Sequence, residues 1–212
     1  MIRLSPALIV VAFMLSPLAQ GASAQTAQTP AARGRAQAPA TRGRAQAAAP
    51  AAAVPEVQKS PGAGPLLVIE TAKGVIQIET YPADAPKTVE HVLGLAKRNF
   101  YNGQRVHRVE PGFVVQFGDP QSRDATKRDR WGTGGSGRAI GVAETKRVHK
   151  LGAVAMAHAG DPARADSQMY ILLRPTAAAL DGKYAVFGQV VGGMDVVQKI
   201  AVGDVIRRIS VK

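Results

Sequence analysis

From Gln25 to Gly64 the chain has almost nothing with which to build a core. Of these 40 residues 14 are Ala and 5 are Pro, and the only large apolar side chains are Val54 and Val57. Such a stretch cannot bury enough surface to offset the entropy of ordering it. Disorder is therefore expected over 25–64, and a packed domain must be built from residues 65–212. That span is long enough to enclose one sizeable core.

The run Ala7–Leu15 is apolar but too short to cross a bilayer, which takes about 20 apolar residues. It follows the single basic residue Arg3 and precedes Ala22-Ser23-Ala24, a small-x-small cleavage pattern. Together these read as a secretory signal peptide over 1–24. A periplasmic or secreted protein without stable membrane insertion is expected. In the tail, Arg-Gly-Arg-Ala-Gln-Ala occurs twice, at Arg33–Ala38 and Arg42–Ala47. Two copies do not make a solenoid. Four arginines spread over twelve residues read as a solubilising tether. No aromatic residue is present there for base stacking, so no nucleic-acid partner is expected.

The whole chain carries 27 Lys+Arg against 15 Asp+Glu, a formal net charge of +12. This bears on association and solubility rather than fold. With no cysteine, a disulfide framework, a thiolate metal site and a cysteine nucleophile are excluded.

Within 65–212, Leu66–Glu70 and Val75–Glu79 flank Thr71-Ala72-Lys73-Gly74 and read as a hairpin. Asp84-Ala85-Pro86 reads as a helix start, with Asp84 as a cap and Pro86 in the first turn. Val89, Val92, Leu93 and Ala96 then give one buried stripe. Short strands are expected at 105–109, 113–117, 152–157, 168–173, 185–190 and 205–211. A second helix is expected over 194–200, with Val196, Val197 and Ile200 inward. Many short strands with one early and one late helix indicate a mainly β domain. Because a Val- and Ile-rich sheet can ill leave edges open, the reading is a closed eight-stranded antiparallel barrel capped by two helices.

Gly132–Gly137 matches the spacing G-x-G-x-x-G literally. A dinucleotide site also needs a strand before it and a helix after it; here Arg128-Asp129-Arg130-Trp131 precedes and Arg138-Ala139-Ile140-Gly141 follows. The segment reads as a glycine-rich surface loop. The histidines, His91, His107, His149 and His158, show no metal-ligand spacing, and Ser167 sits in no nucleophile elbow. What remains is polar–apolar alternation: Val114 and Gln116 share one strand face, Gln168 and Tyr170 another, and the Pro111-Gly112 turn brings Arg108 back beside them. An Arg and two Gln around aromatic residues suit a neutral, amide-bearing ligand such as a peptide. Spacing alone leaves this open against an ordinary solvated barrel exterior.

The order of short blocks adds to this. Pro86-Lys87-Thr88-Val89-Glu90, Tyr101-Asn102-Gly103, His107–Phe113, Gln116–Asp119, Gly132–Gly135, Ala155–Gly160, Ser167-Gln168, Leu180–Tyr184 and Val186-Phe187-Gly188 resemble, in sequence order, the cyclophilin family of peptidyl-prolyl cis–trans isomerases. The resemblance covers Leu66 to Lys212. It implies an eight-stranded closed barrel with two helices and rotation about X–Pro bonds in unfolded or newly exported polypeptides. It implies no cofactor or metal, and a monomer is expected. It further implies Arg108 as the cation facing the twisted amide and Gln116 as its orienting partner. Phe113 and Val114 would wall the proline pocket, Tyr170 would floor it, and Leu180 and Tyr184 would close its rim. Ala157, His158 and Gln168 would line the groove, His158 mainly through its backbone.

Some residues depart from the family pattern. Val114 stands where Met is common, Tyr170 where the floor is usually Phe, and Phe117 where Gly is usual. Ala179 stands where cyclosporin-sensitive members carry Trp; the sole tryptophan is Trp131. Slower isomerisation than in typical members is therefore expected. Two other readings stand beside the isomerase. One is a non-catalytic prolyl-peptide-binding or chaperone module. The other makes the basic tail the working part, carried by the barrel.

Overall fold

The computed structural model describes residues 63–212. The signal peptide expected over 1–24, and all but the last two residues of the expected tail, lie outside them. The hairpin forms as β1 (Leu66–Thr71) and β2 (Gly74–Thr80), followed by α1 (Pro86–Lys97). Then come β3 (Arg108–Glu110), β4 (Val114–Phe117), β5 (Ala153–Met156), β6 (Met169–Leu172) and β7 (Val186–Gly192). The chain finishes with α2 (Met194–Lys199) and β8 (Ile206–Val211). Every expected element is present, with ends that differ by one to three residues: β1, β2 and β7 run longer, β3 is shifted toward the turn, and the others are trimmed.

The strands make one antiparallel sheet in the order β3-β4-β6-β5-β7-β2-β1-β8. It curls into a half-barrel, and the expected closed barrel does not form. The end strands β3 and β8 share no ladder. The nearest link is a single bridge, Arg105 to Val205, with backbone bonds from Gly103 and Val106 to Ile206 and Asp204. The edges are protected by other means. Strand β3 has only three residues, and its Arg108 and Glu110 are exposed. On β8, Arg207 and Arg208 are exposed. Short, charged edges resist adding further strands, so burying the apolar residues does not require closure.

Strand alternation sends two sets of side chains to opposite faces of the sheet. Val115, Phe117, Val154, Met156, Met169 and Ile171 join the main core, with α1 and α2 supplying Val89, Val92, Leu95, Val196 and Val197. Val114, Ala153, Ala155, Tyr170 and Leu172 gather on the other face, with Phe113, Leu180 and Tyr184 partly buried against them. This second face carries the candidate site. Gly118 fixes the approach of β4 to β6: its φ is +107°, and an added Cβ would collide with the Ser167 carbonyl oxygen. No helix among the described residues is long and apolar enough to cross a membrane.

Helix α1 begins differently from its expected cap. Ala85 occupies the N-cap position and makes no side-chain cap bond. The Asp84 carboxylate instead accepts from Arg147 Nε at 2.5 Å, and that guanidinium lies 3.6 Å from the Tyr81 ring centroid. The free N–H groups of the first turn are taken by Glu144: Lys87 N donates to Oε1 at 3.0 Å and Thr88 N to Oε2 at 2.8 Å. A carboxylate that satisfies two amides and faces the positive end of the helix dipole outcompetes a neighbouring Asp already paired to Arg.

Candidate active site

The Pro111-Gly112 turn, with Gly112 at φ +68°, returns the chain so that Arg108 on β3 stands opposite Gln116 on β4. Arg108 Nη1 donates to Gln116 Oε1 at 2.9 Å. Its Nε donates to Glu110 Oε1 at 2.9 Å, and Nη2 also reaches that carboxylate. Both ends of the guanidinium are thus held, although the side chain is 44% exposed. Residues i and i+2 of a strand share a face, so the partner Glu110 was implicit in the sequence.

Gln116 continues the network. Its Nε2 donates to Gln168 Oε1 at 2.9 Å, and Gln168 Nε2 donates to the carbonyls of Gly132 and Gly134 at 2.9 and 2.8 Å. The glycine-rich loop is further fixed by Asp119, whose Oδ2 accepts from Gly132 N at 2.5 Å. The literal G-x-G-x-x-G segment therefore forms one wall of the groove.

Beside Arg108 opens a cavity of about 230 Å³, lined by Phe113, Val114, Gln116, Ala157, His158, Tyr170, Leu180 and Tyr184 as well. Nine of the ten site residues named from sequence meet here. The tenth, Gln168, lines an adjoining cavity of about 360 Å³ with the glycine loop. Gln116, Ala157 and His158 line both.

The aromatic lining is built edge to face. Tyr170 and Tyr184 have centroids 5.8 Å apart at 81°, and His158 stacks on Tyr184 at 4.4 Å. His158 Nε2 also bonds the Lys183 carbonyl at 2.8 Å. Its side chain thus fixes the rim, beyond the backbone role implied by the resemblance. Arg174 lies 5.7 Å from the Phe113 ring, a second cation beside the cavity.

Sequence reasoning missed what lies under the floor. The Tyr170 hydroxyl bonds His149 Nε2 at 2.8 Å, and His149 Nδ1 bonds Asp181 Oδ1 at 2.8 Å. The same oxygen accepts the His149 backbone N–H at 2.7 Å. An ionised carboxylate only accepts, so Nδ1 carries the proton and Nε2 accepts from the phenol. These donors hold the Asp181 carboxyl below its ordinary pKa. Burial raises the Tyr170 phenol well above its own, with Tyr184 and Asp181 adding to the shift. The hydroxyl is thus a neutral donor spent on His149, and the cavity keeps its aromatic floor. Histidine spacing gave no hint, because the partners are 21 and 32 residues away.

The other departures have plain positions. Ala179 is exposed, in a short helical turn (Ala178–Leu180). Trp131 faces elsewhere: its Nε1 donates to the Asp124 carbonyl at 3.0 Å and Arg128 lies 5.0 Å from its ring. Phe117 is buried in the main core.

Compared with known proteins, residues 66–211 match the family described as cyclophilin type peptidyl-prolyl cis-trans isomerase/CLD. The chain belongs to the cyclophilin family. A peptidyl-prolyl cis-trans isomerase of Helicobacter pylori is 39% identical over 145 residues, 66% of this chain and 83% of the relative. Peptidyl-prolyl cis-trans isomerase B of Bacillus subtilis is 39% identical over 140 residues, 65% of this chain and 90% of the relative. Among solved structures, a Cryptosporidium parvum cyclophilin type isomerase crystallised in the presence of the dipeptide Ala-Pro matches with a TM-score of 0.60 and 23% identity. The match covers 69% of this chain and 98% of that one. This last likeness concerns the cyclophilin fold.

Proposed function

We propose that this cyclophilin accelerates rotation about X–Pro bonds in polypeptides exported with it, at the cavity beside Arg108. The observation that carries the reading is one juxtaposition: a guanidinium held at both ends by Gln116 and Glu110 stands on the wall of an aromatic-floored cavity. The solved relative crystallised with Ala-Pro supports a prolyl peptide as the ligand class. The N-terminal charge, apolar run and small-residue site support export, and hence a periplasmic or secreted location.

The mechanism follows from the amide. Peptide rotation faces a barrier of about 18–20 kcal/mol because twisting breaks resonance. The twisted nitrogen regains a lone pair that the planar ground states lack. A fixed cationic donor at that nitrogen favours the twisted state over both planar ones, which is transition-state complementarity. Arg108 is that donor. Three of its N–H groups are used by Glu110 and Gln116, and a guanidinium carries five. Phe113, Val114, Tyr170, Leu180 and Tyr184 hold the proline ring by burial, and the polar groove beside Gln168 and the glycine loop holds the flanking backbone.

A charge-assisted bond of about 1.5–3 kcal/mol corresponds to a roughly tenfold to hundredfold rate effect. Arg108→Ala should therefore lower kcat/KM on a prolyl tetrapeptide by that factor, while the circular dichroism spectrum is unchanged. Retained activity in the variant removes Arg108 from the mechanism. Peptide binding without enhanced exchange in the unmodified protein points instead to a non-catalytic binding module.

A further inference from the structure

A second cavity lies away from the prolyl groove. It measures about 440 Å³, within the usual size of small-molecule sites. One wall is a single stripe of α1, with Lys87, Glu90, His91 and Gly94 at helical spacing, continued by Arg98 at its C-terminal cap. The facing wall is Arg138-Ala139-Ile140 and Val142.

The two walls are fixed to each other. Ile140 N donates to the Ala165 carbonyl at 2.8 Å and Gly141 N to the Ala163 carbonyl at 2.9 Å. A few residues on, Glu144 holds the first turn of α1. The floor is opened by a glycine inside a helix, a position that costs helix stability relative to alanine. At Gly94 an added Cβ would meet only Arg98 Nη1, at 3.7 Å.

The cleft is rich in donors. Lys87 and Glu90 pair with each other at 3.6 Å. Arg98 and Arg138 have no carboxylate partner among the described residues, so the positive charge is left over. His91 sits between them, and its Nε2 is buried without a hydrogen-bond partner; the nearest carboxylate oxygen, of Asp166, is 3.8 Å away. Burial, aided by Arg138 and Arg98, lowers the His91 pKa against the opposing pull of Asp166.

We propose that this cleft binds a small organic phosphate, its phosphoryl group between Arg98 and Arg138 and its apolar part against Ile140 and Val142. The donors stand on opposite walls: the guanidinium forks of Arg98 and Arg138. A carboxylate offers two coplanar oxygens, which one fork satisfies. A phosphomonoester offers three diverging oxygens with up to two negative charges, which suits donors converging from several sides. The apolar lip adds affinity for a ligand larger than free phosphate.

The test is titration of the full chain, followed by amide NMR and calorimetry, with phenyl phosphate, inorganic phosphate and neutral benzyl alcohol. The expected result is saturable shifts at His91, Gly94, Arg98 and Arg138–Val142, with phenyl phosphate at least about tenfold tighter than inorganic phosphate and benzyl alcohol silent. Arg98→Ala and Arg138→Ala should each weaken phenyl phosphate about tenfold or more and leave prolyl-peptide turnover unchanged. Gly94→Leu fills the cleft beside Arg98 while keeping both guanidiniums, and should abolish binding even if an arginine variant is unstable. Equal affinity for the two phosphates, shifts scattered over every basic surface, or undiminished binding in the Gly94→Leu protein would each overturn the proposal.

Discussion

The Tyr170 hydroxyl and His149 Nε2 lie 2.8 Å apart beneath the candidate proline pocket, in a place closed to solvent. An aromatic floor that carries a buried hydroxyl is stable here because this partner exists. His149→Leu leaves the phenol unsatisfied, and Tyr170→Phe leaves the imidazole nitrogen unsatisfied. Each should cost about 1–3 kcal/mol. The double variant removes both orphaned groups and should be more stable than the sum of the single losses implies. Urea denaturation of the four proteins reads the coupling, and additivity within about 0.5 kcal/mol would show that the bond contributes nothing.

Acid stability should report the next link. The Asp181 carboxyl is held below its ordinary value of 3.8 by the two His149 donors. A depressed carboxylate stabilises the folded state above its unfolded pKa, and that contribution fades as pH falls through the lower folded value. The stability gap between the unmodified protein and Asp181→Asn should be full above about pH 4 and shrink toward pH 2. A gap that stays constant from pH 5 to pH 2 would mean that the charge on Asp181 does not matter.

Gln116 connects Arg108 to Gln168 and so to the glycine loop. Gln116→Leu keeps the volume and removes both bonds, leaving Glu110 alone to orient the guanidinium. Turnover should fall by about threefold to fivefold, less than the loss expected for Arg108→Ala. Adding Gln116→Leu to Arg108→Ala should lower it little further, since the two residues act as a unit. Fully multiplicative losses in prolyl-peptide kinetics would separate their roles.

The exposed Ala179 and the remote Trp131 together leave the rim without a large indole. Inhibition by cyclosporin should therefore need concentrations above micromolar, and Ala179→Trp should lower that concentration about tenfold or more. Sub-micromolar inhibition of the unmodified protein in a prolyl-peptide assay contradicts this.

Local pattern carried a good deal of this molecule. The alternation Val114/Gln116 against Val115/Phe117 gave the two sheet faces, and the turn at Pro111-Gly112 brought Arg108 to Gln116 as its register required. What escaped depends on contacts distant along the chain. Asp84 has the composition of a cap, yet Arg147, 63 residues on, takes it. His149 looks unremarkable beside its neighbours until Asp181 and Tyr170 converge on it. The open seam between β3 and β8 was hidden for a related reason: nothing local states how long an end strand will be, or that charge will guard it.

The hold of Glu144 on Lys87 and Thr88 spans 57 and 56 residues. During synthesis α1 therefore emerges with its first turn unfinished and must wait for a distant carboxylate. A short helix of 12 residues is marginal in water by itself. It should consolidate only when the 140s segment docks, so this domain completes its first helix late, and a ribosome-stalled fragment ending before Glu144 should show that turn frayed.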